Sequence, residues 1–201
     1  MNPIESALRG IAEDLAEAGR SWALIGGLAV SARAEPRTTR DVDVVVAVSG
    51  DADAEAVVFA LQSRGYRLLM ALEQTTVGRL STVRLSTPGA SSRGVVVDLL
   101  FASSGIEAEI ARGAEAIEIV PGLTVPIARI GHLIALKLLS RDDRRRPQDW
   151  DDLRALLAEA EPSDLTDARS AVELVVERGY HRGKPLLDAL EALFGGQTRS
   201  G

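Results

Sequence analysis

Residues 26–44 read GGLAVSARAEPRTTRDVDV, and this stretch decides the fold. An apolar run, Trp22–Ile25, leads into Gly26-Gly27, which the pattern predicts as the end of a buried strand and a tight turn into a short helix, Leu28–Ala34, stopped by Pro36. Glycine lets the backbone come close to a ligand, and the free N–H groups of a helix start favour an anion such as a phosphate. Taken alone, a Gly-Gly pair means only a turn. Fourteen residues after Gly27 stands Asp41, followed by Asp43 in a strand-like run with five valines, Asp41–Val48. Residues i and i+2 of a strand point to the same side. Two carboxylates held there repel each other unless a cation lies between them. Magnesium suits them, since it prefers hard oxygen ligands and shares them with substrate phosphates. The same spacing also fits two acids in a solvated strand entrance.

Outward from this block, residues 3–18 carry Ile4, Leu8, Ile11 and Leu15 at helical spacing. Asp51 is the predicted cap of a helix reaching about Ser63. Extended segments are expected at Tyr66–Leu72, Leu80–Ser86 and Gly94–Phe101, with Pro88–Arg93 as a hairpin loop. A short helix at Glu107–Arg112 and a hairpin over Ile117–Val125 follow. From Ala128 to Phe194 the chain reads as three or four helices, broken at Arg144–Pro147, Pro162 and Gly179–Gly183. The reading is α+β: a mixed sheet flanked by helices over residues 1–127, then a helical C-terminal lobe over residues 128–201.

Asp98 lies in Gly94-Val-Val-Val-Asp98-Leu-Leu-Phe101, a strand apolar on both faces, where an isolated carboxylate needs a partner. If this strand neighbours Asp41–Val48, three carboxylates converge. Such a set can hold two metal ions about 3.5–4 Å apart, as in phosphoryl and nucleotidyl transfer.

With Arg37-Thr38-Thr39-x-Asp41-x-Asp43 and the later Asp98, the Gly-Gly block resembles the nucleotidyltransferase fold of the DNA polymerase β superfamily. More narrowly it resembles the AbiEii-type nucleotidyltransferases, among them toxins of bacterial toxin–antitoxin and phage-abortive systems. Their pattern continues with a helical lysine and Arg-x-Lys-Asp-x-x-Asp-Leu; here stand Lys137 and Arg146-Pro147-Gln148-Asp149-Trp150-Asp151-Asp152-Leu153. Gln148 stands where the family has a lysine, a departure that the resemblance implies weakens one phosphate or RNA contact. The resemblance spans residues 22–153. It implies that Gly26, Gly27, Arg37 and Thr38 bind the nucleotide, that Asp41, Asp43 and Asp98 hold two Mg²⁺ ions, and that Lys137 neutralises a triphosphate. It also implies that Asp149 is a functional acid, with Asp152 as its structural companion. The substrate would be an NTP and the acceptor the tRNA 3′ end or another RNA, with a cognate antitoxin as protein partner. Two other readings stay open: a small-molecule (antibiotic) nucleotidyltransferase, and a catalytically silent, antitoxin-like nucleotide-binding protein.

Lys137 also stands out physically. It falls in the middle of the apolar stripe Ile130, Leu133, Ile134 and Leu138, where a cation must snorkel out or meet an anion. It is one of two lysines, with Lys184, in a chain that has 21 arginines. Arg141 and Arg144–Arg146, interleaved with Asp142 and Asp143, read as a solvated turn or an RNA-phosphate grip. His132 and His181 read as structural.

Composition sets outer limits. The 201 residues are 46% hydrophobic and 26% charged, which is globular. The absence of cysteine excludes disulfides, thiolate metal sites and a thiol nucleophile. Aromatic residues are 3% of the chain, too few for a base-stacking platform. The net charge of −6 lies mostly in the terminal helical stretches. No segment has the length and apolarity of a signal peptide or membrane span, so a cytoplasmic location away from any membrane is expected.

Overall fold

The computed structural model describes residues 2–75, 77–89, 94–142 and 148–197. Helix α1 (Pro3–Glu17) starts with the Asn2 side chain accepting from the Ile4 N–H, and buries Ala7, Leu8, Ile11 and Leu15. Strand β1 (Trp22–Ile25) is buried throughout and runs straight into α2 (Gly26–Arg33). Strand β2 (Asp41–Val46) follows, then α3 (Asp51–Ser63). Gly50, not Asp51, occupies the cap of α3; Asp51 is its first helical residue and is drawn aside by Arg79 at 2.7 Å. The meander β3 (Arg67–Gln74), β4 (Arg79–Ser86) and β5 (Val96–Leu100) comes next. Helix α4 (Glu107–Gly113) and the hairpin β6 (Glu115–Val120) and β7 (Leu123–Ile127) close this half. Four helices finish the chain: α5 (Ile130–Ser140), α6 (Gln148–Glu159), α7 (Pro162–Glu177) and α8 (Leu186–Gln197). Of the expected breakers, Arg144–Pro147 lies outside the described residues, as does the Ala90–Arg93 part of the expected hairpin loop.

All seven strands form one mixed sheet in the order β3-β4-β5-β2-β1-β7-β6. Strand β2 is central, antiparallel to β1 and parallel to β5. Its alternation assigns the two faces. Val42 and Val44 are fully buried, while Asp41 and Asp43 point the other way and are partly open. Neighbouring strands continue both rows: Val97 and Leu99 of β5 and Val83 and Leu85 of β4 lie on the buried side. The fold class is the expected one, α+β around a mixed sheet.

The helical C-terminal stretch packs against the same core. Helix α5 contacts α2, α6, α7 and α8, and α6 contacts α2. Gly131 permits the α5–α7 approach: a Cβ there would lie 2.5 Å from the Asp164 carbonyl oxygen and 2.7 Å from Asp167 Cβ. Lys184 donates to the carbonyls of Leu139 at 2.6 Å and Arg141 at 2.8 Å, satisfying the exposed end of α5.

Candidate active site

The pairing of β2 with β5 sets Asp43 directly beside Asp98, and Asp41 beside Val96. Paired residues of parallel strands project to one side, so Asp41, Asp43 and Asp98 share the open face of the sheet. The strand neighbourhood on which such a convergence depends is therefore present. The row goes on into β4, where Arg84 sits opposite Asp98. Its guanidinium grips both carboxylate oxygens, Nε to Oδ1 at 2.8 Å and Nη2 to Oδ2 at 2.6 Å. These hydrogen bonds raise the Arg84 pKa well above its ordinary value, and the charges of Asp98, Asp41 and Asp43 add to the effect. Asp98 is nearly buried, so its charge requires such a partner.

The Gly-Gly turn lies against this row. Gly26 has φ +65°, and a Cβ on it would fall 2.0 Å from Asp43 Oδ2. Only glycine supplies both that conformation and that space. A Cβ on Gly27 would come within 2.6 Å of Arg37 Nη2 and 3.0 Å of Thr39 Oγ1. The loop after α2 is tied back by Ser31, whose hydroxyl accepts from the Arg37 N–H at 3.1 Å and donates to the Gly27 carbonyl at 2.9 Å. Thr39 Oγ1 donates to the Asp41 carbonyl at 3.3 Å, and Thr38 is exposed, its carbonyl accepting from Arg37 Nη1 at 3.4 Å.

Arg37 then reaches across to the C-terminal helices. Its Nε lies 2.7 Å from Asp152 Oδ1 and its Nη2 3.1 Å from Oδ2. Lys137 Nζ meets the same carboxylate at 2.6 Å and Asp149 at 2.9 Å. Ser140 Oγ donates to the other Asp149 oxygen at 3.2 Å. Asp149 and Asp152 are both buried at the start of α6. Lys137 thus does not snorkel; it satisfies its charge inward, on two acids of the next helix. One chain of contacts runs from Gly27 through Arg37, Asp152 and Lys137 to Asp149.

In chemical kind, the carboxylates suit a hard divalent cation. Asp41 and Asp43 are partly exposed beside a glycine turn, and Asp98 has both oxygens engaged by Arg84. Among the described residues, no group of three His, Cys, Asp or Glu side chains lies close enough to hold a metal ion. By donor type Asp41 and Asp43 fit such a cation, while Asp98 is held by Arg84.

Residues 9–199 match the family described as nucleotidyl transferase AbiEii toxin, type IV toxin–antitoxin system. The chain belongs to this family. It is a nucleotidyltransferase. A comparison with curated proteins finds no match. Among solved structures, the chain is similar to an antigenic nucleotidyltransferase-like protein from Paracoccidioides brasiliensis, at 20% identity and TM-score 0.53, covering 93% of this chain and 91% of that one. It is also similar to the antibiotic-resistance factor ANT(2'')-Ia, at 20% identity and TM-score 0.51, covering 100% and 96%. A lincosamide antibiotic adenylyltransferase, LnuA, solved with lincomycin, matches at 14% identity and TM-score 0.50 over 78% and 98%. At these identities the likeness is one of fold.

Two contributors to this AbiEii chain's site escape sequence reading. Arg84 is one of many arginines, and only strand register brings it to Asp98. Ser31 carries no motif; its role appears only when the loop closes back on α2. Other candidates fall elsewhere in the AbiEii fold. The Arg141 guanidinium lies 4.6 Å from the Trp150 ring centroid, and Arg154 lies 5.1 Å from it. Arg144–Arg146 are outside the described residues. His132 lines a separate cleft with Ile106, Glu109, Arg129 and Asp167, and burial lowers its pKa. No helix among the described residues is long and apolar enough to cross a membrane.

Proposed function

We propose that this chain transfers a nucleoside monophosphate from an NTP to an RNA acceptor, the 3′ end of tRNA, as the toxin of a toxin–antitoxin pair. The observation that carries the reading is the row Asp41, Asp43 and Asp98 beside the Gly26-Gly27 turn, in a chain of the AbiEii toxin family. The family description supports the toxin context and the cognate antitoxin.

In this reading Gly26 and Gly27 offer backbone N–H groups and close approach to the triphosphate. Arg37 stands against Gly27 and neutralises phosphate charge there, with Lys137 behind it. Asp149 and Asp152 fix these two cations, so little reorganisation is needed as charge moves toward the leaving group. Asp41 and Asp43 would hold Mg²⁺, which when bound screens the phosphates and orients them. The acceptor hydroxyl oxygen attacks the α-phosphorus, the bond from that phosphorus to the bridging oxygen breaks, and pyrophosphate leaves. Asp98, once parted from Arg84, would join Asp41 and Asp43 in holding the metal and so help to draw off the hydroxyl proton. Catalysis in this scheme is mainly positioning and electrostatics.

The test is incubation with each α-labelled NTP, Mg²⁺ and total tRNA. Label should enter the tRNA, and Asp41→Asn or Asp43→Asn should lower that rate at least ~100-fold while the fold persists. Transfer to an aminoglycoside or lincosamide, with none to RNA, would replace the acceptor assignment. Nucleotide binding without turnover would favour the silent reading. Unchanged transfer in both variants would remove the carboxylates from the mechanism.

A further inference from the structure

The ring of Trp150 carries two cations. Arg141 and Arg154 place their guanidinium carbons 4.6 Å and 5.1 Å from its centroid, within cation–π range. The two charges therefore stand within about 10 Å of each other, one Debye length at 0.1 M salt. They come from different elements. Arg141 caps the C-terminus of α5, where its carbonyl accepts from Lys184 at 2.8 Å, and Arg154 lies one turn beyond Trp150 in α6. The cluster adjoins the charge chain of the candidate site. Ser140 donates to Asp149 at 3.2 Å, and Arg141 and Trp150 are the residues that follow this pair in sequence.

Arg154 is the telling member. On a helix it can reach Trp150, four residues before it, or Asp151, three before it. Both Arg154 and Asp151 are exposed, yet among the described residues Arg154 makes no ion pair or side-chain hydrogen bond and lies against the ring instead. Its N–H donors and its charge stay uncommitted. One indole is no stacking platform, but guanidinium planes also stack unpaired bases, and their donors bind phosphate.

We propose that Arg141, Trp150 and Arg154 form the landing for a single-stranded stretch of the RNA acceptor. One nucleobase stacks on the Arg154 guanidinium, backed by Trp150, and the neighbouring phosphate takes the Arg154 N–H groups and the charge of Arg141. This rests on the reading of RNA as the acceptor, and adds to it the residues that hold the RNA beside Asp149 and Lys137. They touch no reacting atom and are positioning residues. Duplex RNA has no splayed base to offer, so the site selects a single-stranded end.

Trp150 reports on its own site, since with Trp22→Phe it is the only indole in the chain. Trp22 is buried in β1, so the unmodified protein serves as a second reporter should that replacement disturb the fold. Total tRNA should quench the Trp150 emission, whereas tRNA stripped of its single-stranded 3′ end, or NTP with Mg²⁺ alone, should not. Arg154→Ala should weaken tRNA binding about tenfold, as the loss of one stacked base does. Arg154→Lys keeps the charge without the plane and should recover little of it. Arg9→Ala on α1, the same loss of charge elsewhere, should leave the affinity as it was. In the transfer assay Arg154→Ala should raise KM for tRNA about tenfold, with kcat and the KM for NTP held. Equal tRNA affinity in Arg154→Ala and the unmodified protein overturns the proposal, even where label still enters tRNA. Emission that answers to NTP and Mg²⁺ without RNA gives the cluster to the nucleotide's own base and overturns it too. An equal response to the trimmed tRNA overturns the stacked base. Binding as expected, with no label transferred to RNA, supports the landing and fails the acceptor assignment alone.

Discussion

Asp152 carries two cations on one carboxylate, with Arg37 and Lys137 both within 2.7 Å of its oxygens. A buried ion pair is weak evidence of net stability, yet removing one member leaves the others uncompensated, at roughly 3–5 kcal/mol. Lys137 keeps Asp149, and Arg37 is a third exposed, so the lower figure applies. Asp152→Ala should cost about 3 kcal/mol, lowering Tm by about 6–12 °C for a chain of this length. Asp152→Asn should recover part of this by keeping an oxygen for Arg37. Thermal unfolding followed by circular dichroism measures both. At this scale the acids Asp41, Asp43 and Asp98 were legible, because a carboxylate in a valine strand violates the local pattern. Their neutralising partner was not. Arg84 lies 14 residues from Asp98, and Arg37 lies 115 residues from Asp152, so only the fold brings them together.

Glycines separate packing from propensity at the level of helices. In α5, Gly131 faces the α7 backbone, and a larger residue meets main-chain atoms that cannot swing away. Gly131→Val should destabilise by about 3 kcal/mol through overpacking. Gly10, inside α1, faces only the Tyr66 hydroxyl, 3.6 Å from where a Cβ would stand. Gly10→Ala should therefore stabilise by about 0.5–1 kcal/mol, the ordinary gain in helix propensity. Urea unfolding of the two variants should give opposite signs. The elements themselves read well from the sequence, since apolar spacing and breakers mark each one. Their ends read less well. Asp51 has the side chain of a cap, yet Arg79 competes for it and the backbone of Gly50 takes that position.

For the whole molecule, the proposed nucleotide binding has a thermodynamic signature independent of turnover. A non-hydrolysable NTP with Mg²⁺, each at about 100 times its Kd, should stabilise the fold by about 2.7 kcal/mol. That is a rise of about 5–10 °C in Tm. EDTA should remove the rise, and Asp43→Asn should not show it. The strand order was beyond sequence reading, because periodicity reveals strands and not their neighbours. Placing β5 beside β2, past β3 and β4, is a long-range choice made by packing.

That separation along the chain also has a temporal side. During translation, Arg37 leaves the ribosome 115 residues ahead of Asp152, and Asp43 emerges well before Asp98. Long-range pairing waits for its distant half. A growing chain therefore carries the glycine turn and two of its acids without their counterparts. Under the proposed mechanism the chain would gain activity only after its C-terminal helices have emerged, so a partner that meets it during synthesis would meet an incomplete site.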